Sequence, residues 1–328
     1  TKLLLASSFG RRLLLVTRTN PRPNLRFGAP SSVLGAPQQR GNDTLNFSRI
    51  DSSKTVRMAD VETAMANLLS QNDGVMTTAA LYHLRSGGGR VRAELALKSA
   101  RALRLPSHIT IAISAACELL HNASLVHDDL QDGDASRRGK IAVWKRFGPN
   151  TAICLGDLMV SAAYSAIANA STHHLPEMIA HMHRRVSDVI SGQHADLESN
   201  CVSIDQYNDV ARMKSGPLLG LPVELSLIAA GLSEQVSTAV AASDAIAIAY
   251  QTTDDISDAE RDISAGGLNF ITLVQGDMAS RARAAHLHAT KHARAAIKIA
   301  NTLPNEAGDG FISLAEKFDP AAAMLEAI

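Results

Sequence analysis

Two long apolar stretches of this chain each end in a knot of carboxylates, and few folds accommodate both. SHITIAISAACELLHNASLVHDDLQD carries apolar residues at helical spacing from Ser107 onward and closes on Asp128, Asp129 and Asp132. Far downstream, SEQVSTAVAASDAIAIAYQTTDD repeats the pattern and closes on Asp254, Asp255 and Asp258, with Asp262 a turn further on. Helix positions four apart share a face, so Asp128 stands over Asp132 and Asp254 over Asp258, with Asp129 flanking at about 100°. Like charges at that spacing repel, and half-buried carboxylates without partners are costly. A divalent cation shared between facing helices relieves both problems. Mg²⁺ takes oxygen ligands at about 2.0–2.1 Å and is commonly held by one or two carboxylates, with phosphate oxygens completing its shell. Arg137 and Arg138, which follow the first cluster in QDGDASRRGK, are suited to grip such phosphates through paired N–H donors. Either acidic run alone reads equally well as a solvated helix end. Two copies behind two apolar helices weigh against that.

The rest of the chain is consistent with helices throughout. From Met58 on, apolar residues recur at helical spacing, broken at Gly87 to Gly89, Pro106, Gly148-Pro149, Pro176, Gly216-Pro217, Gly266-Gly267 and Pro304. No run alternates in the manner of a strand. With 46% hydrophobic but only 4% aromatic residues, the expectation is an all-α, single-domain bundle of about ten mostly antiparallel helices over residues 58–328. Residues 1–57 read differently: seven Lys or Arg and no acid up to Asn42, with Pro21, Pro23, Pro30 and Pro37. They are expected to be disordered, either as an organellar targeting peptide or as sequence preceding a true start at Met58. Thirty-two basic residues balance thirty-two acidic ones, so no global field attracts nucleic acid or anionic lipid. Cys117, Cys154 and Cys201 form no paired motif, which fits a reducing compartment: the cytoplasm, or an organelle if the extension is a targeting peptide. Apolar stretches of about ten residues fall short of a membrane span.

Several segments, in order, make the chain resemble the trans-isoprenyl diphosphate synthases of the polyprenyl synthetase family, short-chain type. ELLHNASLVHDDLQDGDASRRGK is similar to that family's first aspartate-rich motif and YQTTDDISD to its second, with GDLMVSAAY, GQHADLE and MKSGPLLGLPVEL between them. The resemblance implies a helical bundle around a deep central cavity and a homodimer. It implies a Mg²⁺-dependent prenyltransferase that condenses an allylic diphosphate with isopentenyl diphosphate, using three ions completed by the substrate. By the same resemblance Asp128, Asp132 and Asp254, supported by Asp129, Asp255 and Asp258, hold the metals, and Arg137 grips the allylic diphosphate. Lys214 and Gln251 reach that diphosphate and steady the developing cation. Arg92, His121 and Arg138 belong to the isopentenyl diphosphate site.

Two departures stand out. Where the family writes Gly-Lys-x-x-Arg, this chain reads GGGRVRAEL, with Gly89 in the lysine's place and Arg90 beside it as a possible substitute. A second family lysine is replaced by Gly267. These losses keep open a class I terpene synthase that ionises a prenyl diphosphate without isopentenyl diphosphate. An HD-type phosphohydrolase fits less well, because His121 and His127 are six apart and the second cluster would be idle. A regulatory subunit would be free to lose the aspartates that this chain keeps.

Product length is expected to follow the helix below Asp128. Ser124 and Ala123 lie one turn down and Leu120 about 12 Å down, and neither of the first two is bulky, which favours a product of twenty carbons or more. His288 and His292 are expected on a solvent face of an alanine-rich helix. Trp144 and Phe147 are expected to be packing residues.

Overall fold

The computed structural model describes residues 47, 55–71, 74–197, 203–265 and 268–319. All of these fall in one of the two units into which the chain divides, Thr44–Ile328. Among them are twelve α-helices: α1 (Met58–Leu69), α2 (Val75–Leu84), α3 (Val91–Ala102), α4 (Ser107–Gln131), α5 (Val143–Phe147), α6 (Pro149–Ala168), α7 (Leu175–Leu197), α8 (Ile204–Ala229), α9 (Val236–Ala265), α10 (Phe270–Leu273), α11 (Met278–Ala300) and α12 (Asp309–Ala315). The one sheet among the described residues is a two-stranded antiparallel hairpin, β1 (Ser136–Arg137) and β2 (Lys140–Ile141). The all-α expectation holds.

Helix α4 is the spine. It packs on α6, α3 and α8, while α8 lies between α7 and α9, and α9 is backed by α11. Its boundaries follow local chemistry: Pro106 occupies the N-cap with an extended backbone, and Asp132 caps the other end, its amide donating to the Asp128 carbonyl at 2.8 Å. Most of α4 is buried, from Ile109 through Val126, with alanines where neighbouring helices approach. Hairpin β1–β2 is tethered beside the end of α4. The Tyr82 hydroxyl donates to the Ile141 carbonyl at 2.8 Å, Lys140 Nζ to the Arg85 carbonyl at 2.6 Å and Trp144 Nε1 to the Asp134 carbonyl at 2.7 Å. Trp144 and Phe147 pack against the core, as expected of them.

Three expectations need correction. The Gly216-Pro217 pair does not interrupt the chain: α8 runs through both Pro217 and Pro222. An interior proline costs about 3 kcal/mol, and burial of α8 between α7 and α9 offsets it. By length and composition α4 and α6 could cross a membrane, and the apolar window of α4 is 83% buried inside the protein. It is a core helix. Finally, two side chains before Met58, Phe47 and Val56, are buried in the main hydrophobic cluster. The remainder of residues 1–57, apart from Thr55 and Arg57, lies outside the described residues, as does Gly267.

Candidate active site

Both carboxylate clusters open on one cavity of about 1150 Å³, lined by Asp128 and Asp132 from the end of α4 and by Asp254, Asp255 and Asp258 from α9. Lys214, Gln251, Arg92, His121 and Arg137 also line it. The C-terminal end of a helix already carries partial negative charge, so Asp128 and Asp132 sit where anions are least welcome. Burial pushes Asp128 up to about 6 against the pull of Lys214, with Asp132 adding to the rise. Burial raises Asp132 as well. Two carboxylates so perturbed mark a site built to receive positive charge.

Part of that charge is already present. Burial alone would lower the Lys214 ammonium, but Asp196, then Asp128 and Asp132, carry it above its ordinary value, and its Nζ donates to Asp196. A close approach of two helices makes this pair. A Cβ on Gly192 would sit 2.4 Å from the Met213 carbonyl carbon and 2.5 Å from the Lys214 nitrogen, so glycine lets α7 press onto α8 one turn from Asp196. Within GQHADLE nothing local marks Asp196 for this role, because its partner lies 18 residues away on another helix.

Within each cluster the middle carboxylate behaves differently. Asp129 is 1% exposed and does not line the cavity; Arg137 clamps it, Nε donating to Oδ1 at 2.7 Å and the Nη2 amine pairing with the same oxygen. Its charge orients Arg137, while its Oδ2 is buried with no hydrogen-bond partner among the described residues. Asp255 is 2% exposed and accepts from the Tyr207 hydroxyl and the Phe270 amide, both at 2.7 Å, and from Gln251 Nε2 at 3.1 Å. The Asp262 side chain lies outside the described ones. Among the described residues no three His, Cys, Asp or Glu side chains are grouped closely enough to hold a metal ion by themselves.

At the opposite wall, Arg92 approaches His121, Nη1 to Nε2 at 3.4 Å, and its buried Nε has no hydrogen-bond partner among the described residues. Burial, followed by Arg92, holds His121 well below its ordinary value, so the imidazole is neutral and accepts from the guanidinium. Arg138 adopts φ 52°, donates through Nη1 to the Gly87 carbonyl and rests on the glycine turn: a Cβ on Gly88 would lie 2.3 Å from its Cζ. It flanks the subsite without lining the cavity. Arg90 is placed elsewhere. Its Nε donates to Glu62 at 3.0 Å and Nη2 to the Leu84 carbonyl at 2.7 Å, so it ties α1 to the end of α2 and does not substitute for a lysine at 89. A Cβ at Gly89 would meet only Val91 Cγ2, at 3.4 Å. Sterics do not demand glycine there.

Leu120, Ala123 and Ser124 line the same cavity. Facing helices complete the wall with Val160 and Ser161 from α6, Val186 and Val189 from α7 and Leu218 from α8, none of them legible from the α4 sequence. His288 is not on a solvent face: it stacks on Phe270 at 4.7 Å between ring centres, bonds Asn208 at 2.9 Å and sits 4.6 Å from His292.

An all-helical bundle whose central cavity carries two facing carboxylate clusters defines the class. The polyprenyl synthetase family model matches residues 73–301, and the chain belongs to that family. It is 32% identical to a geranylgeranyl pyrophosphate synthase of Geoglobus acetivorans over 167 residues, covering 49% of this chain and 52% of that protein. It is 34% identical over 223 residues to a protein of Bradyrhizobium diazoefficiens named as a probable farnesyl diphosphate synthase, covering 63% of this chain and 67% of that one. The chain thus spans about half the length of several curated relatives it matches. Among solved structures, a Caulobacter crescentus polyprenyl synthase complexed with calcium and isoprenyl diphosphate superposes with a TM-score of 0.72 at 19% identity, covering 80% of this chain and 94% of that one.

Proposed function

We propose that this chain transfers an allylic prenyl group from its diphosphate to isopentenyl diphosphate, giving a product five carbons longer, of twenty carbons or more. One observation carries the reading: two carboxylate clusters and a separate Arg92–His121 pair line a single cavity whose wall also carries an apolar stretch, Leu120, Ala123, Val160, Val186, Val189 and Leu218. That is one polar subsite for each of two diphosphates.

Mg²⁺ fits the carboxylates. Asp128 with Asp132, and Asp254 with Asp258, are the oxygen donors that would hold it, and the burial that raises Asp128 and Asp132 is a cost a cation beside them would offset. Neither cluster reaches three ligands alone, which suits ions whose shells a diphosphate completes. When bound, Mg²⁺ neutralises charge that builds on the departing diphosphate. Arg137, oriented by Asp129, and Lys214, oriented by Asp196, add donors on the same side. The allylic C–O bond breaks and its electron pair leaves with the diphosphate. The isopentenyl double bond then forms the new C–C bond, and a proton passes from the resulting cation to a diphosphate oxygen. Arg92 and neutral His121 hold the second diphosphate away from the first. Leu120, Ala123, Val160, Val186, Val189 and Leu218 keep water from the cation.

Ala123 and Ser124 leave the cavity open below Asp128, which supports the longer product. Ala123→Phe is expected to shorten it, as chromatography of labelled products will show; an unchanged distribution places the floor elsewhere. A homodimer belongs to the same reading, with α6, apolar yet keeping Ile153 47% exposed, as the helix available to a second copy. Pyrophosphate release from geranyl or farnesyl diphosphate, assayed with Mg²⁺ and with or without isopentenyl diphosphate, tests the function. Release that requires isopentenyl diphosphate supports condensation. Equal release without it indicates the class I terpene synthase reading, which the glycine at position 89 favours.

A further inference from the structure

We propose that Tyr207 and Asp255 form a latch that positions the second carboxylate cluster, so that Asp255 acts as a positioning residue and not as a metal ligand. The inference rests on the prenyl-transfer reading above and goes beyond it in dividing the labour within the cluster.

Asp255 follows Asp254 directly, yet its surroundings differ. Its Oδ2 accepts from the Tyr207 hydroxyl of α8 and the Phe270 amide of α10, each at 2.7 Å, while Oδ1 accepts from Gln251 Nε2 at 3.1 Å. Its backbone carbonyl accepts from Asn269 Nδ2 at 2.9 Å, and the Asn269 side-chain oxygen in turn caps α10 through the Ile271 amide at 2.9 Å. A carboxylate offers about four lone-pair sites, and these donors from three separate elements take three of them. A metal at Asp255 would have to displace them.

The donors are themselves immobilised. Tyr207 is 1% exposed and meets Phe270 edge to face at 5.4 Å, and Phe270 is stacked from behind by His288. Burial and then Asp255 push the Tyr207 phenol far above its ordinary value, so it remains a donor at every working pH. The latch therefore fixes the rotation of α9 about its own axis. Each residue advances about 100° around a helix, so holding Asp255, which itself borders the cavity, toward α8 and α10 sets how far Asp254 and Asp258, on a different face, turn into it. Gln251 is held as well. A carboxylate only accepts, so the amide nitrogen of Gln251 must face Asp255, and its carbonyl oxygen is left as the group to meet a cation.

The test is to titrate Mn²⁺ into the full chain with inorganic pyrophosphate, counting ions by electron paramagnetic resonance, with thermal melting as a control for folding. Asp255→Asn and Tyr207→Phe are expected to bind as many ions as the unsubstituted chain, with affinity lower by about tenfold, the usual loss for groups that orient metal ligands. Asp254→Ala is expected to bind fewer. In turnover, both latch variants are expected to lose about tenfold in kcat with both KM values held within about twofold. The double variant should do no worse than Asp255→Asn alone, because both changes act on the same Tyr207–Asp255 contact. An ion lost from Asp255→Asn, or losses that multiply in the double variant, would overturn the latch. Absence of prenyl transfer in the unsubstituted chain refutes the reaction but not the latch, which the ion count decides by itself.

Discussion

The two ends of the cavity are built to the same plan from different parts. At the end of α4, Asp128 and Asp132 face the cavity while Asp129 turns away to grip Arg137. On α9, Asp254, Asp255 and Asp258 all line it, but Asp255 is 2% exposed and its carboxylate receives Tyr207 and Phe270. The middle carboxylate of the first cluster thus orients a cation of the site itself, whereas that of the second joins three structural elements. Identical side chains at identical spacing acquire different work from what faces them.

The largest expected effect separates the cavity-facing residues from the inward one. Asp128→Ala should lower kcat by roughly a hundredfold to a thousandfold, the scale for losing a principal stabiliser of developing charge. Asp129→Asn keeps the volume but removes the charge that holds Arg137, and should cost about tenfold. Equal losses in steady-state assays would erase the distinction between them. Next in size is Gly89→Lys. The position has room for a side chain and lies beside Arg92, so restoring a cation is expected to lower the KM for isopentenyl diphosphate about tenfold, the worth of one charge-assisted hydrogen bond. The KM of the allylic substrate should not move; a shift there would mean that the subsites are not distinct.

The smallest effect concerns stability. A histidine backs each region: buried His83 beside Asn122 of α4, and half-buried His292 beside His288 on α11. Burial holds both near 4, helped at His83 by Arg138 and at His292 by His288. Their folded values lie below the ordinary 6.5, so the folded chain binds these protons more weakly than the unfolded one. The stability they confer is present above about pH 6.5 and is lost as pH falls toward 4. Urea midpoints measured at pH 7 and pH 5 should converge in His83→Gln and, less, in His292→Gln, which is only half-buried. A gap unchanged in both variants would show that other groups set the acid sensitivity.

Much of this arrangement was legible in the sequence. The extent of α4 followed from its apolar spacing and flanking Pro106, and the cavity-facing aspartates from their four-residue interval. What could not be read depends on partners distant in the chain. Asp129 and Asp255 look like their neighbours until the hairpin and α10 are in place. Arg90 appears poised for a phosphate until Glu62, on another helix, claims it. Asp196 meets Lys214 only because Gly192 admits α8, and α8 continues through two prolines because α7 and α9 bury it. Local pattern sets the elements; tertiary contact decides which of two adjacent charges is already claimed by a neighbour.

The central claim, that both clusters serve one ligand, is tested most directly by the Mg²⁺-dependent affinity for pyrophosphate in Asp128→Ala, Asp254→Ala and the double variant. If one ligand bridges the clusters, either substitution removes most of the binding and the double variant is little worse than either single one. Losses that add, or an Asp254→Ala chain that binds pyrophosphate as tightly as the unsubstituted one, would contradict it.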